Sequence, residues 1–152
     1  MKRSILFVCV ANSCRSQMAE AAAKAVGKGL WEVWSAGSSP SGRVHPVALQ
    51  VMGELGLDLS THRSKGLDAI PTRPWDYIVT MGCGDACPSV PARQRLDWEI
   101  PDPVGLPLAE VRQIRDDLIQ RIGELMGSTQ DAAALLRRVP PRGASEVPRS
   151  RA

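Results

Sequence analysis

The run Ile5-Leu6-Phe7-Val8 leads through Cys9-Val10-Ala11-Asn12-Ser13-Cys14-Arg15 straight into Ser16-Gln17-Met18-Ala19-Glu20-Ala21-Ala22-Ala23-Lys24. A short apolar strand, a tight loop and the start of a helix follow one another without a linker. A short loop feeding a helix N-terminus turns its backbone N–H groups inward, and with the helix dipole it favours a bound tetrahedral anion and a thiolate in place of a thiol. The chain therefore opens on an anion cradle with a cysteine at its base.

Residues Val10, Ala11, Asn12, Ser13, Cys14, Arg15 and Ser16 are the expected oxyanion-binding set, with Arg15 forking two oxygens of the anion. Asn12 tolerates the left-handed conformation that such a loop needs, Ser13 is placed to donate its hydroxyl to the Cys9 sulfur, and Ser16 suits the helix start. The competing reading makes Cys9 a small buried hydrophobe at a strand end. Asn-Ser inside the loop and the Ala-rich helix after it favour the nucleophile.

Further strands are expected over 31–35 and 75–81, with a weaker fourth near 95–98; helices over 16–26, 46–55 and 108–126; and a helical turn around 64–69. Leu108, Val111, Ile114, Leu118, Ile122 and Leu125 recur at steps of three and four, which makes the last helix the most strongly patterned. Strands alternating with helices imply a four-stranded parallel sheet flanked by helices on both faces, with the site beyond the carboxyl ends of the strands.

The formal charge of +3 lies wholly after residue 127, where Arg137, Arg138, Arg142, Arg149 and Arg151 face only Asp131 and Glu146. One domain over 1–127 and an Arg/Pro-rich, disordered tail over 128–152 are expected. With no aromatic among its arginines, the tail argues against a nucleic-acid partner. No stretch approaches the roughly 20 apolar residues of a membrane span, and no leader is recognisable, so a cytoplasmic protein with reduced thiols is expected.

Met81-Gly82-Cys83-Gly84-Asp85-Ala86-Cys87-Pro88 holds a second pair of cysteines, on a glycine-rich loop at another strand end. A thiol relay that takes over a disulfide from Cys9 is preferred there to inert loop cysteines and to zinc, whose ligand spacing is not matched. Asp102, between Pro101 and Pro103, is the candidate general acid, because displacement at phosphorus or arsenic expels an oxygen that needs a proton. An acidic turn before the last helix is the plain alternative.

Across roughly residues 4–126 the chain resembles thiol-linked arsenate reductases of the low-molecular-weight protein tyrosine phosphatase fold. The resemblance rests on Phe7-Val8-Cys9 through Glu20, on Ser35-Ala36-Gly37 with Pro46, on Thr80 through Asp85 with Cys87-Pro88, and on Trp98 with Asp102-Pro103. It implies Cys9 as nucleophile, Arg15 as clamp, Asp102 as acid and Cys83 and Cys87 as resolving thiols. The implied substrate is arsenate, with phosphate and sulfate as competing anions, and no cofactor is tightly bound. The implied reductant is thioredoxin, or mycothiol with a glutaredoxin-like protein.

Three departures stand out. Ala11 replaces the usual Gly; if positive φ is needed there, the change costs about 1 kcal/mol. The Cys83 to Cys87 interval is shorter than in thioredoxin-coupled members and resembles that of mycothiol users, which tilts the expected reductant slightly toward the small thiol. Some members hold potassium near the cradle, and Asn12, Glu20 and Ser35 match three of its ligands, but Lys65 stands where an acid would complete the set, so no metal is expected. His45 and His62 are read as packing or surface groups.

Two other functions compete with arsenate reduction. A tyrosine phosphatase would use Cys9, Arg15 and Asp102 and let water resolve the adduct, with Trp98 at the entrance; the single Phe, the single Tyr and Gln17 in place of Pro weigh against it. A non-enzymatic thiol redox sensor would follow if Ala11 disabled the loop.

Overall fold

The computed structural model describes residues 2–82 and 90–138. It contains β1 (Arg3–Cys9), α1 (Arg15–Gly27), β2 (Trp31–Gly37), α2 (Pro46–Gly53), a 3-10 turn (Leu67–Ala69), β3 (Trp75–Thr80), β4 (Ala92–Asp97), α3 (Leu108–Met126) and α4 (Thr129–Leu136). The strands form one parallel sheet in the order β2-β1-β3-β4, as the alternation of elements requires.

β1 is central, and Ile5 through Val8 are wholly buried because both faces of the strand are covered. Each such side chain contributes about 1.5–3 kcal/mol. Ile5, Phe7 and Cys9 share a core with residues from all four α-helices. Leu6 and Val8 point the other way and pack with Ala36, Trp75 and Ile78 against Trp34, Leu67, Ile70 and Val90. The described α-helices thus join the first face, while loops and the 3-10 turn cover the second.

β4 starts earlier than the sequence suggests, and none of its residues is buried. An edge strand rich in Arg and Gln shows little apolar alternation; backbone pairing from Trp75↔Ala92 to Thr80↔Asp97 holds it in place. The domain boundary also moves. α4 occupies part of the expected tail, burying Ala132 and Leu135, and Lys28 Nζ meets Asp131 at 2.9 Å. Its two apolar anchors are too few to stand out beside the arginines that follow. The left-handed residue closing α1 is Lys28 (φ 50°), and Gly27 is instead pressed between Trp31 and Met126.

Sheet order sends the chain from β1 to β2 on one side and to β3 on the other. The crevice at this switch point lies beyond the carboxyl ends of β1 and β3, where Cys9 and Gly82 emerge.

Candidate active site

Cys9 ends β1 opposite Gly37 of β2 and is 2 % exposed. Beyond it, the carbonyl oxygens of the loop are taken up from outside. Ser38 N–H donates to Cys9 O (3.2 Å), Ser39 N–H to Val10 O (2.8 Å), Ser41 N–H to Ala11 O (3.0 Å) and His45 N–H to Ser13 O (2.8 Å). Gln17 Nε2 donates to Asn12 O, and Met18 N–H to Cys14 O. With the carbonyls tied outward, the N–H groups of Val10 through Cys14 donate to no backbone partner among the described residues. Cys14 caps α1 with no side-chain bond, and the first turn of α1 has no acidic residue. Unclaimed donors at an uncapped helix start make an anion site.

Asn12 has φ 48°, whereas Ala11 is not among the positive-φ residues, so the Ala11 substitution carries no backbone strain of the kind anticipated. The Asn12 side chain uses all of its hydrogen-bonding capacity. Its Oδ1 accepts from Lys65 N–H and Gln17 Nε2, both at 2.9 Å, and its Nδ2 donates to Ser16 Oγ (2.7 Å) and Ser35 Oγ (3.0 Å).

Ser16, not Ser13, meets the nucleophile candidate, with Cys9 Sγ to Ser16 Oγ 2.9 Å. Asn12 Nδ2 donates to the Ser16 oxygen, and a Cys9 thiolate carries no hydrogen, so in the nucleophilic state the Ser16 hydroxyl is the donor to the sulfur. α1 begins at Arg15, so Ser16 lies inside the first turn and faces the site instead of capping the helix.

Arg15 Nη1 donates to Ile100 O at 3.2 Å, tying the clamp to the segment that carries Asp102. Gly82 (φ 77°) stands so close that a Cβ there would come within 2.7 Å of Arg15 Nη1. Asp102 is exposed and accepts Val104 N–H at 3.1 Å in a tight turn. Burial pushes the Cys14 thiol up to about 12, and the negative charges of Asp102 and Cys9 add to this while Arg15 opposes it. Cys14 is therefore a neutral thiol beside the cradle, its Sγ 3.8 Å from Met18 Sδ. Cys83 and Cys87 lie outside the described residues, as do 139–152 of the expected tail.

The family model described as "Low molecular weight phosphotyrosine protein phosphatase" matches residues 4–138. The chain belongs to this family. Within it, the chain is 40% identical over 121 residues to the arsenate reductase of Staphylococcus aureus (strain Newman), covering 77% of this chain and 91% of that one. An arsenate reductase solved in the phosphate binding state superposes with a TM-score of 0.74 at 35% identity, covering 82% of this chain and 97% of the other. The thioredoxin-dependent arsenate reductase of Corynebacterium glutamicum superposes with a TM-score of 0.69 at 36% identity, covering 85% of this chain and 62% of the other.

The potassium site found in some family members does not fit here. Lys65 Nζ lies 3.3 Å from Ser35 Oγ and 3.5 Å from both Glu20 Oε1 and Arg63 O, so an ammonium already stands among the matching oxygens. Burial works to raise the Glu20 pKa, but hydrogen bonds from Lys24 and Ser35 and the charge of Lys65 outweigh it and hold the carboxyl below 4.5.

Both histidines do more than fill space. His45 Nδ1 accepts Val47 N–H at 3.1 Å and caps α2. His62 Nδ1 is 3.0 Å from Gln17 Oε1, which can only accept, so the imidazole is the donor. Gln17 Nε2 also donates to Arg63 O (2.8 Å), and Ser64 Oγ donates to Ala11 O (2.9 Å), so the 62–65 segment splints the loop from below. Trp98 packs 6.3 Å from Phe7 with Arg121 over its ring, at the edge of the core.

Proposed function

We propose that this chain reduces arsenate to arsenite, with Cys9 as nucleophile, Arg15 as oxyanion clamp and Asp102 as general acid. What carries the reading is the loop whose carbonyls are all held outward around a thiol that receives the Ser16 hydroxyl. The arsenate reductases of matching length and sequence support the substrate.

The inward N–H groups and Arg15 hold three arsenate oxygens, and the Cys9 thiolate attacks arsenic while Asp102 protonates the departing oxygen, releasing water. A second thiolate then attacks Cys9 Sγ. The As–S electron pair stays on arsenic, which falls from As(V) to As(III) and leaves as arsenite, while the two sulfurs are oxidised to a disulfide.

Cys83 is the favoured second thiol and Cys87 its partner, with thioredoxin reducing the resulting Cys83–Cys87 bond. Gly82 lies against the Arg15 guanidinium, and Cys83 is the next residue of the sequence. The thioredoxin-dependent relative supports thioredoxin as the reductant.

Arsenite is to be measured with reduced protein, arsenate and either a thioredoxin system or mycothiol with a glutaredoxin-like protein. Turnover is expected with thioredoxin and is expected to vanish in Cys9→Ser. Full mycothiol-dependent activity in Cys83→Ser would assign the second step to the small thiol. Hydrolysis of an aryl phosphate with no arsenite from either system would make the protein a phosphatase.

A further inference from the structure

A chain of hydrogen bonds links Lys65 to the sulfur of Cys9. Ser35 Oγ accepts from Lys65 Nζ (3.3 Å) and from Asn12 Nδ2 (3.0 Å) and donates its own proton to Glu20 Oε1, so both its lone pairs and its hydrogen are committed. Asn12 Nδ2 gives its other hydrogen to Ser16 Oγ (2.7 Å), and that hydroxyl gives its single hydrogen to the Cys9 thiolate across the 2.9 Å contact. Ser35, Asn12 and Ser16 are fully buried, so no water competes for these links. Reversing any one of them would leave a buried donor or acceptor unmatched.

We propose that Lys65 is a positioning residue for the nucleophile: its ammonium is a built-in cation that orients Ser35 and Glu20, and through Asn12 it fixes the Ser16 hydroxyl on Cys9. The role goes beyond the assignment of the reacting groups and rests on Cys9 being the nucleophile.

Two features favour this over a simple surface ion pair. The Lys65 side chain is only 14% exposed, in contrast to Lys24, the other cation on Glu20, at 52%. Lys65 also reaches the loop twice, since its backbone N–H donates to Asn12 Oδ1 at 2.9 Å. The residue that supplies the charge therefore also holds the side chain that transmits its effect.

The consequence is a cradle assembled without added alkali cation. A mobile ion that completed the same oxygens would make Cys9 reactivity depend on salt identity, whereas a tethered ammonium would not.

The test reads alkylation of Cys9 by iodoacetamide at fixed pH and ionic strength, which needs neither arsenate nor reductant, beside arsenate kcat and KM. Wild-type rates are expected to be the same in potassium chloride and choline chloride. Lys65→Met, of similar length and without charge, should alkylate about tenfold more slowly and lose a similar factor in kcat with a smaller change in KM. Lys65→Arg should recover most of that loss. Lys65→Asp adds a carboxylate to Glu20, Ser35 and Asn12 and should recover alkylation in potassium but not in choline.

Several-fold activation of the wild type by potassium would overturn the proposal, as would wild-type alkylation in a folded Lys65→Met variant. If Lys65→Met does not fold, the salt comparison on the wild type decides alone. Alkylation that follows this pattern in a protein making no arsenite would refute arsenate reduction and leave the role of Lys65 intact.

Discussion

Replacing Gly37 by Ala adds one methyl group where the end of β2 meets the anion loop. A Cβ at that position would lie 2.6 Å from Val10 O, 2.9 Å from Asn12 N and 3.0 Å from Asn12 Cβ. Two of these are backbone atoms, so no flexible side chain can swing aside. Reaching ordinary contact needs a separation of about 0.8 Å between strand and loop, and Ser39 N–H on Val10 O ties the same carbonyl to this segment. Such overpacking costs about 1–3 kcal/mol. For a chain of this size that lowers Tm by roughly 2–10 °C.

The functional loss should exceed what stability alone suggests. The shifted atoms include an N–H of the cradle, and a misplacement near 1 Å costs about 10²-fold, so kcat/KM for arsenate should fall about 10- to 100-fold. Gly53→Ala is the matched control: it lies in α2, has no atom within 4 Å of the added methyl and no positive φ, and should gain about 0.4–1 kcal/mol with unchanged kinetics. Thermal melts and steady-state kinetics on the two variants check the contrast. Wild-type kcat/KM in Gly37→Ala, or equal damage from Gly53→Ala, would refute the steric argument.

Asp102→Asn should slow formation of the Cys9 adduct by about 10²- to 10⁴-fold while leaving phosphate inhibition nearly unchanged; an unaltered single-turnover rate would remove Asp102 as the acid. Cys14→Ala should keep arsenite production within a few-fold of wild type and lose about 1 kcal/mol of stability, and abolished turnover in a folded variant would make Cys14 a participant. Glu54→Gln should destabilise by about 1–3 kcal/mol at pH 7, because Arg115, 1% exposed, loses one of its two carboxylate partners and keeps the more exposed Asp116. Burial works against the Glu54 charge, but hydrogen bonds from Arg112 and Arg115 hold its pKa below 4.5, so the stabilisation is complete above that pH and fades as pH falls through the lowered value. The Tm gap between variant and wild type should therefore close in acid, and a gap independent of pH would contradict the assignment.

The cradle could be read from the sequence because strand, loop and helix start are contiguous and their chemistry is local. Its supports could not. The donors that turn the loop carbonyls outward come from 38–45, and Gln17 and Asn12 are anchored on 62–65; nothing in those segments marks them as partners of residues up to 53 positions away. The choice between Ser13 and Ser16 depended on where the helical turn begins. With α1 starting at Arg15, Ser16 is carried back over the end of β1. β4 and α4 were obscured for a shared reason: a polar edge strand and a short helix with two buried residues owe their order to the sheet and to α3 more than to their own pattern.

The described thiols also constrain how a Cys9 adduct can be resolved. Cys9 is near enough for its charge to be felt at Cys14, and proximity alone would make Cys14 the obvious second sulfur. Attack on a sulfur needs a thiolate, and with a pKa of about 12 the Cys14 thiolate is only about one part in 10⁵ at pH 7. Burial suppresses its ionisation most, and the charges of Asp102 and Cys9 act in the same direction and outweigh the opposing charge of Arg15. The second thiolate must then come from outside the loop. An arsenic adduct approached by such a sulfur can be reduced, whereas a phosphorus adduct can only be hydrolysed. A cradle that cannot tell the two anions apart thus leaves the distinction between reductase and phosphatase to that second sulfur.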